Sequence, residues 1–120
     1  SWTMSADKPP PHVKDLLIRA RERIEKGWCQ GAYAKNADGD GVGATDPYAT
    51  SFCIRGAILA VGPLDYAVRF PAYGLLENVI DRISKSPCDS LAGYNDAPER
   101  TQAEVLSVFD AAIALADPTT

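Results

Sequence analysis

Between Gly31 and Pro47 the chain places glycines at 31, 39, 41 and 43, the turn sequence Asn36-Ala37-Asp38-Gly39-Asp40-Gly41, and a proline. Glycine's conformational freedom and proline's missing amide proton rule out a regular helix through this stretch. The segments on either side are patterned as helices, so any fold must route the chain through an irregular connection early on. A short β-hairpin with Gly31–Ala34 as one arm is the expected solution.

Ahead of that connection, Val13, Leu16, Leu17, Ala20 and Ile24 recur at helical spacing, while Arg19, Arg23 and Lys26 fall on other faces. The pattern predicts a first helix from about His12 to Lys26, stopped by Gly27 and supported by the i,i+4 pairs Asp15/Arg19 and Glu22/Lys26. Asp46-Pro47 reads as the cap and first residue of a second helix running to about Val61. Its apolar residues lie nearly all round: Ala49, Phe52, Cys53, Gly56, Ala57 and Ala60 on one face, Ile54, Ile58 and Val61 on another. Such a helix is central and buried, and the small face at Gly56, Ala57 and Ala60 is expected to admit the first or last helix at close range.

Gly62-Pro63 breaks the chain, Asp65 offers a cap for a short turn before Pro71, and Leu75, Leu76, Val79, Ile80 and Ile83 predict a third helix over 72–85, ended by Ser86-Pro87. A loop from Cys88 to Arg100 follows, with a turn at Gly93-Tyr94-Asn95-Asp96. The capping box Thr101-Gln102-Ala103-Glu104 then opens a fourth helix, which buries Val105, Leu106, Phe109, Ala112, Ile113 and Ala116 and is closed by Asp117-Pro118.

The fold class expected is therefore mainly α, a compact bundle of about four helices with a small β-hairpin between the first two. One globular helical domain is expected over 12–117, after a flexible Pro-rich arm at 1–11 and before a tail at 118–120. Ser1-Trp2-Thr3, ahead of the single methionine at Met4, reads as an added extension.

A chain of 120 residues with 46% hydrophobic content can bury one core without disulfides or metal. It has no apolar run of roughly 18 residues, so no membrane span is expected, and Pro9-Pro10-Pro11 occupies the place where a secretory signal would be apolar. Three cysteines at irregular spacing fit a reducing cytoplasm better than a disulfide framework. The net charge of −4 is uneven, with seven Lys/Arg against four Asp/Glu up to residue 35 and five against twelve beyond it. A basic first helix can guide an acidic partner, but a pI near 4.8 does not suit nucleic acid.

The residues that could carry chemistry are few. Cys29 lies in a loop context with amide-rich neighbours, the setting of a nucleophilic thiol, but the only histidine, His12, is at the far end of the first helix, about 20 Å away at 1.5 Å per residue. The opposing reading is that Cys29 and Cys53 are small buried hydrophobes and neighbours. Cys29, Cys53, Cys88 and His12 lack the short spacings of a zinc site. Asn36, Asp38, Asp40 and Gly41 reproduce the first half of a calcium loop, but Pro47 replaces the acid at its twelfth position, and an acidic hairpin turn explains the same residues. Gly39-Asp40-Gly41-Val42-Gly43 is a poor phosphate cradle because its aspartates repel phosphate. Asn95, Asp96, Glu99 and Arg100 form a polar group that suits either a binding loop or a helix cap.

Trp28-Cys29-Gln30-Gly31-Ala32, Cys53-Ile54-Arg55-Gly56-Ala57 and Asn95-Asp96-Ala97-Pro98-Glu99-Arg100-Thr101 with Glu104-Val105-Leu106 together resemble an uncharacterised family of small bacterial and phage proteins. The resemblance runs from Leu17 to Ala116, and family members often have Trp where Tyr94 stands. It implies a shared fold and no activity or cofactor. It also implies that Trp28, Cys29, Cys53, Asn95, Asp96, Arg100 and Thr101 belong to one constellation, with Tyr94 as an aromatic anchor. The expected arrangement has the Trp-Cys segment on the second helix near Cys53 and the Asn-Asp loop closing over it.

These readings favour a non-enzymatic cytoplasmic binding or regulatory module that recognises a protein partner, with no metal and no cofactor. The alternative is a small thiol-dependent enzyme using Cys29.

Overall fold

The computed structural model describes residues 12–62, 66–84 and 90–116. The N-terminal arm, the Gly62-Pro63 break past Gly62, the cap at Asp65, the stops at Ser86-Pro87 and Asp117-Pro118, and Cys88 lie outside these residues. In chain order the elements are α1 (Val13–Lys26), β1 (Ala34–Lys35), β2 (Gly41–Val42), β3 (Ser51–Phe52), α2 (Ile54–Val61), α3 (Tyr66–Ile83), α4 (Leu91–Asn95) and α5 (Gln102–Leu115). The molecule is mainly helical, with a small antiparallel sheet between the first two helices.

Helix α1 turns Leu16, Leu17, Ala20 and Ile24 inward, all at 0% exposure. Each such leucine or isoleucine contributes about 1.5–3 kcal/mol through burial. Gly27 stops the helix and passes tightly under β3, where a Cβ would collide with the Thr50 carbonyl. Gln102 at the start of α5 donates its side-chain amide to the Ile24 carbonyl at 2.8 Å and also reaches that of Glu25. Carbonyls in the last turn of α1 that lack a helical partner are thus capped from the other end of the chain.

The sheet has the order β2-β1-β3, with Ala34 opposite Val42 on one side and Phe52 on the other. The expected hairpin is present, but its first arm is Ala34–Lys35 rather than Gly31–Ala34, and a third strand joins it. Gly39 adopts φ +86° in the turn, a conformation glycine enters without strain. Asn36 accepts the amides of Asp38 and Asp40 at 3.0 Å each, so the calcium-like pattern builds an Asx turn.

The second helix begins seven residues later than expected, at Ile54. Asp46 accepts the Tyr48 amide at 2.7 Å, and Ala49 N–H donates to the Asp46 carbonyl at 3.0 Å. Asp followed by Pro therefore opens a tight turn here, because the same two residues favour a turn as readily as a helix start. Thr50 N–H then binds the Lys35 carbonyl at 2.8 Å and draws the chain into β3.

Helix α3 begins before the proline that was expected to precede it. Pro71, its sixth residue as described, is exposed and removes only one helical donor. Val68, Ala72 and Leu76, spaced by four, are all buried and anchor that early turn. Ile83, read as part of the apolar stripe, is 56% exposed. The core is one cluster drawn from α1, α2, α3, α4 and α5 with Ala34 and Phe52 of the sheet.

Candidate functional site

Chain exit from α1 sets the site. Phe52 N–H donates to the Gly27 carbonyl at 3.0 Å and Cys29 N–H to the Phe52 carbonyl at 3.1 Å, making a parallel bridge between Trp28 and Phe52. The 28–31 segment therefore runs beside β3 toward the start of α2. Facing it is α4, a single helical turn inside the stretch expected to be loop. Ser90 caps it by accepting the Gly93 amide at 3.0 Å, and Leu91, Tyr94 and Asn95 are its buried residues.

Asn95 is fully buried, and every hydrogen-bonding position of its side chain has a protein partner. Its Oδ1 accepts the Trp28 indole proton at 2.9 Å and the Ile54 amide at 3.1 Å. Its Nδ2 donates to the Cys29 carbonyl at 3.0 Å and to Asp96 Oδ1 at 2.8 Å. An amide has two acceptor lone pairs and two donor hydrogens, so nothing is left over for a ligand. The Ile54 amide is the first of α2 and lacks a helical acceptor, so Asn95 also caps that helix.

Around this centre, Gln30 Nε2 donates to the carbonyls of Asn95 at 3.0 Å and Ala97 at 2.9 Å, and Gly31 N–H donates to Asp96 Oδ1 at 3.0 Å. The structure thus brings together Trp28, Cys29, Asn95 and Asp96, with Cys53 beside them at the head of α2. Tyr94, Arg100 and Thr101 form a neighbouring group. The Arg100 guanidinium stacks 3.5 Å from the Tyr94 ring centroid, its Nε donates to the Tyr94 carbonyl at 2.8 Å, and its Nη1 lies 3.5 Å from Glu104. Thr101 completes the capping box of α5 with Glu104 and makes no contact with the Trp28 network among the hydrogen bonds described.

Cys29, for which the sequence leaves a loop nucleophile and a small buried hydrophobe both open, is 7% exposed. Its Sγ lies 3.8 Å from the Ala32 carbonyl, and burial pushes its thiol up despite an opposing hydrogen bond from Ser51. Cys53 is the N-cap of α2, with its Sγ accepting the Gly56 amide at 3.2 Å. Burial pushes this thiol up as well, against the pull of the Gly56 and Arg55 amides. His12 is exposed at the opposite end of α1 from Cys29 and offers it no base. Among the described residues, no group of three His, Cys, Asp or Glu side chains could hold a metal ion.

The small face of α2 receives neither α1 nor α5 at Gly56. A Cβ there would collide with the Tyr33 carbonyl, so the close neighbour is the 31–33 segment. That segment, with α4, walls a surface cleft of about 280 Å³ lined by Gly31, Ala32, Tyr33, Cys53, Ala92 and Asp96. Tyr33 stands half-exposed at its rim. Sequence reasoning missed Gln30, Gln102 and the cleft, and only the polar character of the two glutamines beside apolar segments hinted at their roles.

No helix among the described residues is long and apolar enough to cross a membrane. No curated protein and no solved structure matches the chain. A family profile does match, over residues 8–115, and the chain, with its Trp28–Asn95 network inside that span, belongs to this family of unknown function (DUF6197).

Proposed function

We propose that the protein is a cytoplasmic binding or regulatory module, and that the cleft between the 31–33 segment and α4 receives an apolar side chain of a protein partner. The observation that carries this reading is the cleft itself, walled mainly by Gly31, Ala32, Tyr33 and Ala92 and bordered by the exposed carboxylate-bearing Asp96. An apolar partner side chain flanked by a lysine or arginine matches that surface in both shape and charge. Trp28, Gln30 and Asn95 are engaged by the protein itself, which suits a scaffold that presents the cleft.

A display library of short peptides tests the reading. Selected sequences should carry an apolar residue next to Lys or Arg and lose binding to a folded Ala92→Arg variant, which fills the cleft and cancels its charge. Peptides that bind this variant unchanged would count against the cleft, and a library that yields no binders would count against the module. The thiol-enzyme alternative has less support, since Cys29 is buried and far from His12. Substrate turnover that depends on Cys29 would favour it instead.

A further inference from the structure

Cys29 lies outside the partner-binding cleft and Cys53 is one of its lining residues, yet the backbone register sets the two side by side. Trp28 pairs with Phe52 in the parallel bridge, and Cys29 and Cys53 stand one residue further along each strand. Residues that follow a paired couple in extended chains turn to the same face, and paired chains lie about 4.8 Å apart; the Cys29 N–H bond to the Phe52 carbonyl at 3.1 Å holds the two chains together up to Cys29 and Cys53, beyond which the Asn95 amide parts them. That spacing falls inside the Cα separation of roughly 4.4–6.8 Å that a disulfide spans. Both thiols are buried and free, and each senses the charge of Asp96, while Cys53 also senses that of Cys29. Only Cys53 lines the cleft, where a small molecule can reach it, and backbone amides at the head of α2 point at its sulfur.

We propose that Cys29 and Cys53 are a dithiol couple that closes to a disulfide when a small disulfide oxidant of the glutathione class enters the cleft at Cys53. The Cys53 thiolate attacks one sulfur of the oxidant, forming a mixed disulfide and releasing one thiolate, which takes up the proton that Cys53 lost. Cys29 then gives up its proton and attacks the Cys53 sulfur, expelling the second small thiol. Two protein thiols are oxidised, one small disulfide is reduced to two thiols, and no other reactant is needed. The product ties the 28–30 segment to the head of α2 across the floor of the cleft. This inference goes beyond the partner-binding reading and does not depend on it.

The test uses the full chain with all three cysteines, held in glutathione buffers of rising oxidised fraction, quenched in acid, blocked with a thiol reagent and digested. The expected result is a peptide pair joined through Cys29 and Cys53, formed while circular dichroism shows the protein still folded. A Cys29→Ser variant should instead accumulate glutathione on Cys53. Recovery of both cysteines as free thiols from folded protein at the most oxidising ratio overturns the proposal. So does an adduct on Cys53 that persists in the full chain without closing onto Cys29.

Discussion

Trp28 donates its indole proton to Oδ1 of Asn95 at 2.9 Å across a sequence separation of 67, and that one oxygen also holds the first amide of α2. Asn95→Ala leaves the Trp28 indole, the Ile54 amide and the Cys29 carbonyl without their partner in a buried place. An unsatisfied buried group costs about 1–3 kcal/mol, so urea denaturation should show a loss of about 3 kcal/mol or more. Asn95→Asp should be no milder, because it sets an acceptor where Nδ2 faced the Cys29 carbonyl and Asp96. A loss under about 0.5 kcal/mol, the range of ordinary surface changes, would mean that the network is not what joins these segments.

Gly56 has no room for a side chain, since its missing Cβ is replaced by the Tyr33 carbonyl. Gly56→Ala must push the 31–33 segment away from α2 and disturb the Cys53 amide, which donates to that same carbonyl at 3.1 Å. Overpacking of this kind costs about 1–3 kcal/mol and sometimes more. Thermal melts should show a lower midpoint for Gly56→Ala than for Gly74→Ala, because a Cβ at Gly74 meets nothing within 4 Å.

Helices α1 and α5 were legible in the sequence, because long apolar periodicity and the Thr101–Glu104 capping box are local signals that the tertiary structure did not override. The start of α2 was not. Its cap is a cysteine, which no list of capping residues favours, while Asp46-Pro47 gave a stronger local signal seven residues earlier and was used as a turn. Helix α4 was hidden because one turn is too short to show a period, even though Leu91, Tyr94 and Asn95 are spaced for one face. The nearness of Trp28, Cys29, Asn95 and Asp96 came from the family blocks. Spacing alone gave no reason to join a segment at 28–31 to one at 95–96, since the pairing rests on long-range hydrogen bonds.

Arg21 and Asp110 join α1 to α5 through two hydrogen bonds, Nε to Oδ1 at 2.6 Å and Nη2 to Oδ2 at 3.3 Å. The geometry is bidentate, but Asp110 is exposed, and exposed pairs contribute about 0.2–1 kcal/mol. A double-mutant cycle of Arg21→Ala and Asp110→Ala should give a coupling in that range that shrinks in high salt. A coupling unchanged by salt would contradict the solvent-exposed character of the pair.

Glu104 is held below the usual carboxylate range by the Thr101 amide at 2.9 Å, with Arg100 adding to the effect. A depressed folded value means that the unfolded chain binds the proton first as pH falls. The capping box therefore stabilises the protein fully above the ordinary value of about 4.3, and loses that contribution as pH drops through the lower folded value. Denaturation midpoints followed from pH 6 downward, that is from roughly two units above the ordinary value, should fall less steeply for Glu104→Gln than for the parent chain. Parallel curves would show that the carboxylate does not act through ionisation.

Burial pushes both described thiols up. For Cys29 the Ser51 hydrogen bond and Lys35 offset part of this and Asp96 adds to it; for Cys53 the Gly56 and Arg55 amides offset part and Cys29 and Asp96 add. In the unfolded chain the same thiols ionise near the free value of about 8.5. The unfolded state then loses protons first as pH rises, so stability should decline from that pH upward and be intact below it. Iodoacetamide labelling of the folded protein at Cys29 and Cys53 should be slow at neutral pH, with a midpoint above that of the urea-unfolded chain. Asp96→Asn keeps the accepting oxygen that Asn95 and Gly31 use but removes the charge that both sulfurs feel. It should therefore lower both midpoints and speed labelling. A folded-state midpoint below the free value would show that burial is outweighed, by the Gly56 and Arg55 amides at Cys53 or by Ser51 and Lys35 at Cys29, and at Cys29 it would favour the thiol-enzyme alternative.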